Sequence, residues 1–477
     1  MQELVFATAT AQAKLVRDRE FSPVELVSTY LAAIDAANAS LRAYVTVDAD
    51  RALDDARAKE ARLMRGEPLP PFHGVPISIK DLNNTAGIRT TYSTRSRADH
   101  VPLVDDAVVR RIRDAGFIIL GKTNVPEFGM LAVTESALNG VCRNPWDLNR
   151  TPGGSSGGAA AALAAGLCPI SHGSDGGGSA RIPASCCGLI GLKPARGRAS
   201  HAPGPADPRA GLPSSGPIAR TVEDAAGLLD VMSGYEVGDP YWAPPPDGSF
   251  ALQATLDPGQ LRIAYSVTPA WEATVSPDCI DAVSKAASLL ESLGHHVEAA
   301  TPDWREDRLY DWFVALYGVL PAGIPMPDLS LLESHNRDLI QWGMDRSSHE
   351  YVQAVLDLQM YARRVSRFWT DFDVLVTPTL ALPPVPIGWA LEDHPWKRGS
   401  RHLSFWPFTA PANITGLPAM SLPLHWNDDG LPIGVQFVGR PAGEAPLLQL
   451  ARHLETASPW QHMRPPLPVS GAGSRGS

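Results

Sequence analysis

The amino-acid sequence predicts an α/β protein, because segments with the repeat of a helix alternate with segments that have the pattern of a strand. A first strand is indicated at residues 75–80, where apolar and more polar side chains alternate. A helix that starts near Asp105 is followed by a buried strand at 115–121, and the same alternation returns at 261–297. Helices and strands in this order build layers around a sheet.

The helices are predicted from their start and stop signals. The run Ser22-Pro23-Val24-Glu25 combines a capping box with proline at the first helical position. A second start at Ser276-Pro277 predicts a helix that Gly294 ends. Residues 1–65 are therefore expected to be a helical N-terminal region, and 304–370 to be mostly helical.

The rest of the chain is assigned to strands, loops and a tail. Further buried strands are expected at residues 372–377 and 433–438. Proline and glycine cluster at 197–217 and 238–248, which predicts long loops. Because no linker divides the sequence, we expect a single domain over residues 1–465, followed by a Gly/Ser-rich flexible tail at 466–477.

Composition excludes several classes of protein. The 477 residues contain 41 Lys and Arg against 51 Asp and Glu, a formal net charge of −10, so a nucleic-acid partner is not expected. No apolar run is long enough for a membrane span. The five cysteines form no C-x-x-C pair and the N-terminus has no secretion-signal pattern, which favours a reducing, cytoplasmic location.

A glycine-serine segment departs from ordinary core composition. It comprises residues 151–158, an alanine-rich helix at 159–165, and residues 171–181. Glycine at this density costs backbone entropy, so these positions need positive φ or the close approach of another backbone or a ligand.

Two familiar interpretations of this segment fit poorly. A phosphate cradle would need G-x-x-x-x-G-K-[ST] or a G-x-G-x-x-G turn after a strand, and neither is present. Residues 153–157 do match the G-x-S-x-G nucleophile elbow, but the preceding 146–152 have the polarity and proline of a loop rather than a strand.

A third interpretation makes both serines part of the chemistry. Successive backbone N–H groups would converge on one point as an oxyanion hole: Gly176, Gly177, Gly178 and Ser179. Ser179 would be the nucleophile, and Ser155, near the start of the alanine-rich helix, would relay its proton. Lys80 in an apolar strand is the candidate final acceptor, because burial lowers the pKa of an amine.

Several separated motifs together resemble the amidase signature family. They are residues 73–81, residues 153–158, the separation of Ser155 and Ser179, residues 175–183 and residues 188–194. The likeness is densest at about 70–200, the expected signature core. It extends loosely to 416–419 and 432–436 and leaves 240–400, the expected variable pocket region, largely unmatched.

The resemblance implies an α/β/α sandwich with a large mixed central sheet, and it implies roles for three residues. Lys80 would be the base, Ser155 a bridging serine held by a cis peptide bond, and Ser179 the acylated nucleophile. Two departures from the family pattern, Gly176 and Ala180 in place of larger residues, are expected to enlarge or loosen the site. Neither a metal nor a cofactor is implied.

Other notable residues are given structural interpretations. Asp175 and Arg181 are expected to form an ion pair that shapes the oxyanion loop, and Lys122 and Lys193 to make stabilising contacts. His172 is expected to be a core residue with satisfied hydrogen bonds. For the aromatic residues of 304–317, core packing and a substrate pocket are equally favoured. Adjacent Cys186 and Cys187 are interpreted as small buried residues, and His295-His296 not as a metal site.

The expected activity is hydrolysis of an amide C–N bond through a serine acyl-enzyme. Resemblance at 184–197 favours aryl acylamidases and hydrolases of cyclic or linear nylon oligomers, with esters or carbamates, including urethanes, as further substrates. The expected partner is a small-molecule amide, and a homodimer is compatible with the sequence. The alternatives are the transamidase component of an amidotransferase, which works together with partner chains, and a catalytically silent binding or scaffold member.

Overall fold

The computed structural model describes residues 2–319 and 328–466 and is organised around a mixed sheet. The strands are β1 (Tyr44–Val47), β2 (Pro76–Lys80), β3 (Ile118–Thr123), β4 (Glu135–Ser136), β5 (Gly140–Val141), β6 (Ser171–Asp175), β7 (Ile190–Lys193), β8 (Ser214–Ala219), β9 (Arg262–Tyr265), β10 (His296–Ala299), β11 (Val374–Pro378), β12 (Ala419–Trp426) and β13 (Pro432–Gly439).

Eleven of these strands form the sheet within the described residues, in the order β1-β3-β2-β6-β8-β7-β12-β13-β11-β9-β10. The pairs β3–β2, β2–β6, β11–β9 and β9–β10 are parallel, and the remaining pairs are antiparallel. Strands β4 and β5 form a separate antiparallel hairpin. The predicted mixed sheet is confirmed.

Helices cover both faces of this sheet. They are α1 (Gln2–Val5), α2 (Ala9–Arg17), α3 (Pro23–Leu41), α4 (Ala49–Met64), α5 (Ala107–Asp114), α6 (Gly157–Ala164), α7 (Arg181–Cys187), α8 (Val222–Met232), α9 (Phe250–Gln253), α10 (Pro277–Ser292), α11 (Leu309–Gly318), α12 (Ser334–Met344), α13 (Ser348–Ser366), α14 (Arg401–Phe405), α15 (Ala410–Thr415) and α16 (Glu444–Ala457).

The sheet separates two apolar layers, which explains the alternation seen in the sequence. Ile118 and Leu120 of β3 point into one layer with α6 and α11, whereas Ile119 points into the other with α5 and α16. Ile77 and Ile79 of β2 join the second layer, so that the side chain of Lys80 is left on the opposite face. The predicted α/β/α sandwich follows from this arrangement.

Most of the predicted elements are present. The capping box at Ser22 forms and starts α3, Ser276 caps α10, and the predicted strands correspond to β2, β3, β9, β11 and β13. Residues 304–319 and 328–370 are mostly helical, as expected. One loop prediction is partly wrong: within 197–217, residues from Ser214 onward belong to β8, which pairs with β6.

Two further sequence predictions concern the C-terminal tail and membrane-spanning segments. The predicted tail at 466–477 lies outside them apart from residue 466. Among the helices of residues 2–319 and 328–466, none is both long and apolar enough to cross a membrane.

Candidate active site

The candidate site lies where three segments meet at one edge of the sheet. Lys80 is the last residue of β2, Ser155 lies just before α6, and Ser179 lies in the loop between β6 and α7. Because β2 and β6 are parallel neighbours, their carboxyl ends reach the same edge. The three residues singled out in the sequence are thereby brought into one region.

Lys80 and Ser155 are in direct contact. The Nζ atom of Lys80 lies 2.8 Å from Ser155 Oγ and 3.1 Å from the carbonyl oxygen of Ser174, and its side chain is completely buried. Burial holds the pKa of Lys80 well below its usual range; nearby Asp175 acts in the opposite direction, and the positive charge of Arg209 lowers the pKa further. A buried lysine in this setting is suited to accept a proton.

Ser155 is positioned by glycines that allow backbones to touch. The peptide bond between Gly154 and Ser155 is cis, as the resemblance implies. A Cβ atom on Gly154 would lie 2.7 Å from the backbone nitrogen of Val133, and one on Gly158 would lie 2.3 Å from that of Asn124. Part of the glycine density therefore serves packing of protein against protein.

Ser179 lies beside this pair and is partly exposed. The backbone N–H of Ser156 donates to the carbonyl oxygen of Ser179 at 3.2 Å, which holds the two serine segments together. Ser155 is buried, whereas Ser179 lines a narrow cleft with Gly177, Ile182 and other residues. Only Ser179 of the two serines is therefore accessible to a substrate from the cleft.

The backbone N–H groups of the predicted oxyanion loop are not equivalent. That of Gly178 donates to the carboxylate of Asp175 at 2.8 Å, so it is already occupied and the four-residue prediction is corrected. The N–H groups of Gly176, Gly177 and Ser179 have no protein acceptor within the described chain. Three donors are thus left to meet a substrate oxygen.

The loop is shaped by a completely buried ion pair. Arg181 donates to Asp175 through Nε at 2.9 Å and Nη2 at 2.8 Å, and also to Thr409, Asn413 and Gln436. Burial acts to raise the pKa of Asp175, but the charge and hydrogen bonds of Arg181 outweigh it and hold that pKa below its usual range. The structure therefore contains the predicted Asp175–Arg181 pair.

Replacing Asp175 with asparagine is expected to lower the free energy of unfolding by about 3–5 kcal/mol, because it leaves the Arg181 guanidinium buried and without a countercharge. Urea denaturation of both proteins measures this loss. Asp147→Asn breaks a partly exposed pair with Arg150 and should cost less than about 1 kcal/mol. Equal losses for the two variants would contradict a special role for the buried pair.

An aromatic cavity opens beside the cleft. Its volume is about 520 Å³, and Trp406 lines both spaces. Tyr310 and Phe313 of α11 contribute to the cavity, whereas Trp304 is packed in the core. Part of this aromatic segment therefore packs in the core and part lines a cavity, and the substrate-pocket alternative stays a prediction.

Other expectations are corrected or refined by the contacts. Both ring nitrogens of buried His172 are without a hydrogen-bond partner in the described chain, so its hydrogen bonds are not satisfied, and burial lowers its pKa to about 3.

The two lysines that were expected to make stabilising contacts are both hydrogen-bonded. Lys122 donates to Asn83, Thr85 and Thr90. Lys193 is buried too, and its Nζ donates to the carbonyl oxygen of Pro194 at 2.8 Å.

The absence of a side chain at Gly176 does not loosen the site. A Cβ atom there would lie 3.0 Å from the hydroxyl of Tyr317 and 3.5 Å from Nη1 of Arg209, so these side chains occupy the space. The sequence analysis did not predict that Tyr317 and Arg209 fill the space beside Gly176, because each comes from another segment of the chain. Ala180 is fully buried against the following helix.

The described residues contain no group of three or more His, Cys, Asp or Glu side chains arranged to hold a metal ion. Cys186 and Cys187 are buried free thiols on α7, in agreement with their interpretation as small core residues.

Comparisons with known proteins identify the family of the chain. The family profile described as Amidase matches residues 25–448. The 6-aminohexanoate-cyclic-dimer hydrolase of Paenarthrobacter ureafaciens is 38% identical over 489 residues, covering 96% of each chain. An acylamidase of Rhodococcus erythropolis is 34% identical, covering 97% of this chain and 98% of its own.

The fold is similar to that of solved structures as well. A structure of 6-aminohexanoate cyclic dimer hydrolase complexed with substrate superposes with a TM-score of 0.91 at 35% identity, covering 97% of this chain and 99% of the other. The likeness therefore extends over nearly the whole of both chains, including residues 240–400, where the sequence motifs are sparse.

Proposed function

The chain belongs to the amidase signature family and is an enzyme that hydrolyses amide C–N bonds; from this premise we propose that it works through an acyl-enzyme on Ser179. Ser155 relays protons and neutral Lys80 is the base. The observation that carries the proposal is the 2.8 Å contact between Lys80 Nζ and Ser155 Oγ inside a fully buried pocket.

In the first half of the reaction, Ser179 Oγ forms a bond to the amide carbon. Its proton passes to Ser155, which gives its own proton to Lys80, and the oxyanion meets the N–H groups of Gly176, Gly177 and Ser179. The C–N bond then breaks, and Ser155 protonates the leaving amine and regains a proton from Lys80. Protonation of the amine is the demanding part of amide cleavage.

In the second half, water attacks the serine ester. Its proton follows the same path through Ser155 to Lys80, and collapse of the intermediate releases the carboxylic acid. Ser179 then recovers a proton and the cycle closes. Esters and carbamates, including urethanes, present the same carbonyl to the same groups, so we propose them as additional substrates.

The aromatic cavity beside the cleft of Ser179 supports a substrate with an apolar part, and its lining also includes charged side chains. Trp271, Phe313 and Trp406 supply an aromatic lining of a size that holds an aryl, alkyl or lactam ring. Two relatives are named for a cyclic dimer and for acyl amides, which fits anilides and lactams as substrates here. A homodimer and a cytoplasmic location stay predictions from the sequence.

The acyl-enzyme is tested by trapping it. The protein is mixed with p-nitrophenyl butyrate, quenched in acid and digested, and the peptide containing Ser179 is expected to carry a butyryl group. Ser179→Ala should give no such peptide. Butyrylation of another residue at the rate of turnover would overturn the assignment. A parallel panel of anilides, lactams, aliphatic amides, esters and carbamates then ranks the substrates.

A further inference from the structure

Arg209 is an unusual residue next to the candidate site. It lies in the short 3-10 turn Pro208–Gly211, where Arg209 and Ala210 have φ values of 54° and 50°. This left-handed conformation is unfavourable for residues with a Cβ atom and persists only where the surroundings enforce it. The turn brings the guanidinium inward, and the side chain is partly buried.

The guanidinium lies between the oxyanion loop and the segment that contains Phe128. Its Nη1 atom is 3.5 Å from the Cβ position of Gly176 in the oxyanion loop. Its Nη2 atom donates a long hydrogen bond of 3.5 Å to the carbonyl oxygen of Phe128, whose neighbour Gly129 lines the cleft opposite. The guanidinium carbon lies 4.8 Å from the ring centre of Tyr317.

Within residues 2–319 and 328–466, no carboxylate forms an ion pair with Arg209. Asp207 on the same loop is bonded to the hydroxyl of Tyr241, and Asp175 is engaged by Arg181. A partly buried cation without a countercharge lowers the stability of the fold unless a ligand supplies the missing negative charge. The fork of N–H donors is therefore available to a ligand at the Gly176 end of the loop.

We propose that Arg209 binds a carboxylate carried by the amide substrate, and this rests on the proposed amidase function. Guanidinium donors match the two oxygens of a carboxylate, and the Tyr317 ring fixes the plane of the fork. The substrate class is an amide with an apolar half in the aromatic cavity and a carboxylate a few bonds from the scissile carbonyl.

The contacts of the oxyanion loop support a substrate with a charged part and an apolar part. Gly176 meets Arg209, whereas the Cβ position of the next residue, Gly177, lies 3.4 Å from both Phe313 and Trp406. The charged and aromatic groups thus flank the loop at successive residues. The carboxylate can belong to the acyl half or to the amine half of the substrate, and the experiment separates the two.

The test compares two matched pairs of substrates. Succinyl p-nitroanilide against butyryl p-nitroanilide places the charge on the acyl half, and N-butyryl-4-aminobenzoate against N-butyrylaniline places it on the amine half. The kcat/KM ratio of charged to neutral substrate is measured for the wild type, Arg209→Gln and Arg209→Lys. Arg305→Gln is the matched control, because Arg305 is an exposed arginine that lines the aromatic cavity, where Arg209 does not.

We expect the wild type to favour the charged member of one pair, and Arg209→Gln to lower that ratio about 10-fold or more. Arg209→Lys should lower it less, and Arg305→Gln should leave it within about 2-fold. The charge of Arg209 also lowers the pKa of Lys80, so its loss acts on both members of a pair alike and cancels in the ratio. An equal loss in Arg305→Gln, or no loss in Arg209→Gln, would overturn the role of Arg209.

The wild type alone keeps the proposal testable if Arg209→Gln does not fold. No preference for the charged member of either pair would overturn it. The proposed function fails separately, through Ser179→Ala: if that variant still turns over the neutral anilides, the acyl-enzyme is wrong. If Ser179→Ala is inactive and the charge ratios stay unchanged in Arg209→Gln, only the carboxylate site is wrong.

Discussion

Ser179→Ala is expected to lower kcat for an anilide by about 10⁴-fold or more, because it removes the serine hydroxyl that the cleft presents beside the Ser155–Lys80 pair. KM should change little, since the aromatic cavity and the oxyanion donors remain. The measurement is steady-state release of p-nitroaniline, with thermal unfolding to show that the fold is retained. This variant isolates the covalent step.

The matched control is Ser185→Ala. Ser185 is a buried serine on α7, the helix that follows the same loop, and its Oγ accepts a hydrogen bond from the N–H of Gly434 at 2.9 Å. Its replacement should lower stability modestly and leave kcat within a few-fold. If Ser179→Ala retained a tenth of wild-type activity while Ser185→Ala lost more, Ser179 would not be the nucleophile.

Lys80→Met is expected to lower kcat by about 10²–10⁴-fold at neutral pH, the range that a positioned base contributes. In the wild type, activity should fall as the pH drops through the lowered pKa of Lys80, because the protonated amine accepts no proton. That acidic limb should disappear in Lys80→Met, and its residual activity should rise with pH. The pH profile of kcat/KM measures both effects.

The same lysine has a predictable effect on stability. The folded state lowers its pKa below the value in the unfolded chain, so the unfolded chain binds more protons over the interval between them. Lys80 therefore destabilises the fold at neutral pH, and its cost shrinks as pH rises through that interval. Lys80→Met should accordingly be more stable than the wild type at pH 7 while being nearly inactive.

Lys122→Met is the control for a buried lysine outside the site. Lys122 donates to Thr85 Oγ1 at 2.9 Å and to Thr90 Oγ1 at 3.0 Å, and burial lowers its pKa to about 8. Its replacement should keep the acidic limb, because Lys122 has no contact with Ser155 among its hydrogen bonds. A missing limb in Lys122→Met together with an unchanged limb in Lys80→Met would contradict the assignment of Lys80 as the base.

The candidate site was predictable because its chemistry lies in short, dense segments. Ser155 and Ser179 are marked by surrounding glycines, and Lys80 ends a strand whose alternation is readable. These signals lie within short segments, so they can be recognised in a single sequence without an alignment. Even so, the N–H of Gly178 was assigned wrongly, because its bond to Asp175 depends on how the loop turns.

Other features depend on contacts that a single sequence does not display. Strands β6 and β7 contain His172, Asp175 and Lys193, and such polar residues gave no strand signal although each is buried in the sheet. Trp406 and Arg209 join the site from segments far along the chain. Trp406 follows α14 and packs beside Gly177, and Arg209 lies in the turn Pro208–Gly211, which contacts α11, so neither position follows from a periodicity.

The bonds of Arg181 to Thr409, Asn413 and Gln436 have a consequence for biosynthesis. A ribosome that has not yet reached Thr409 has already made Lys80, Ser155 and Ser179, but the guanidinium of Arg181 then has Asp175 as a partner and lacks the three later ones that hold it in place. A nascent or truncated polypeptide of that length is therefore expected to be inert towards amides. On the proposed mechanism, hydrolysis is expected only after β12 and β13 have been translated.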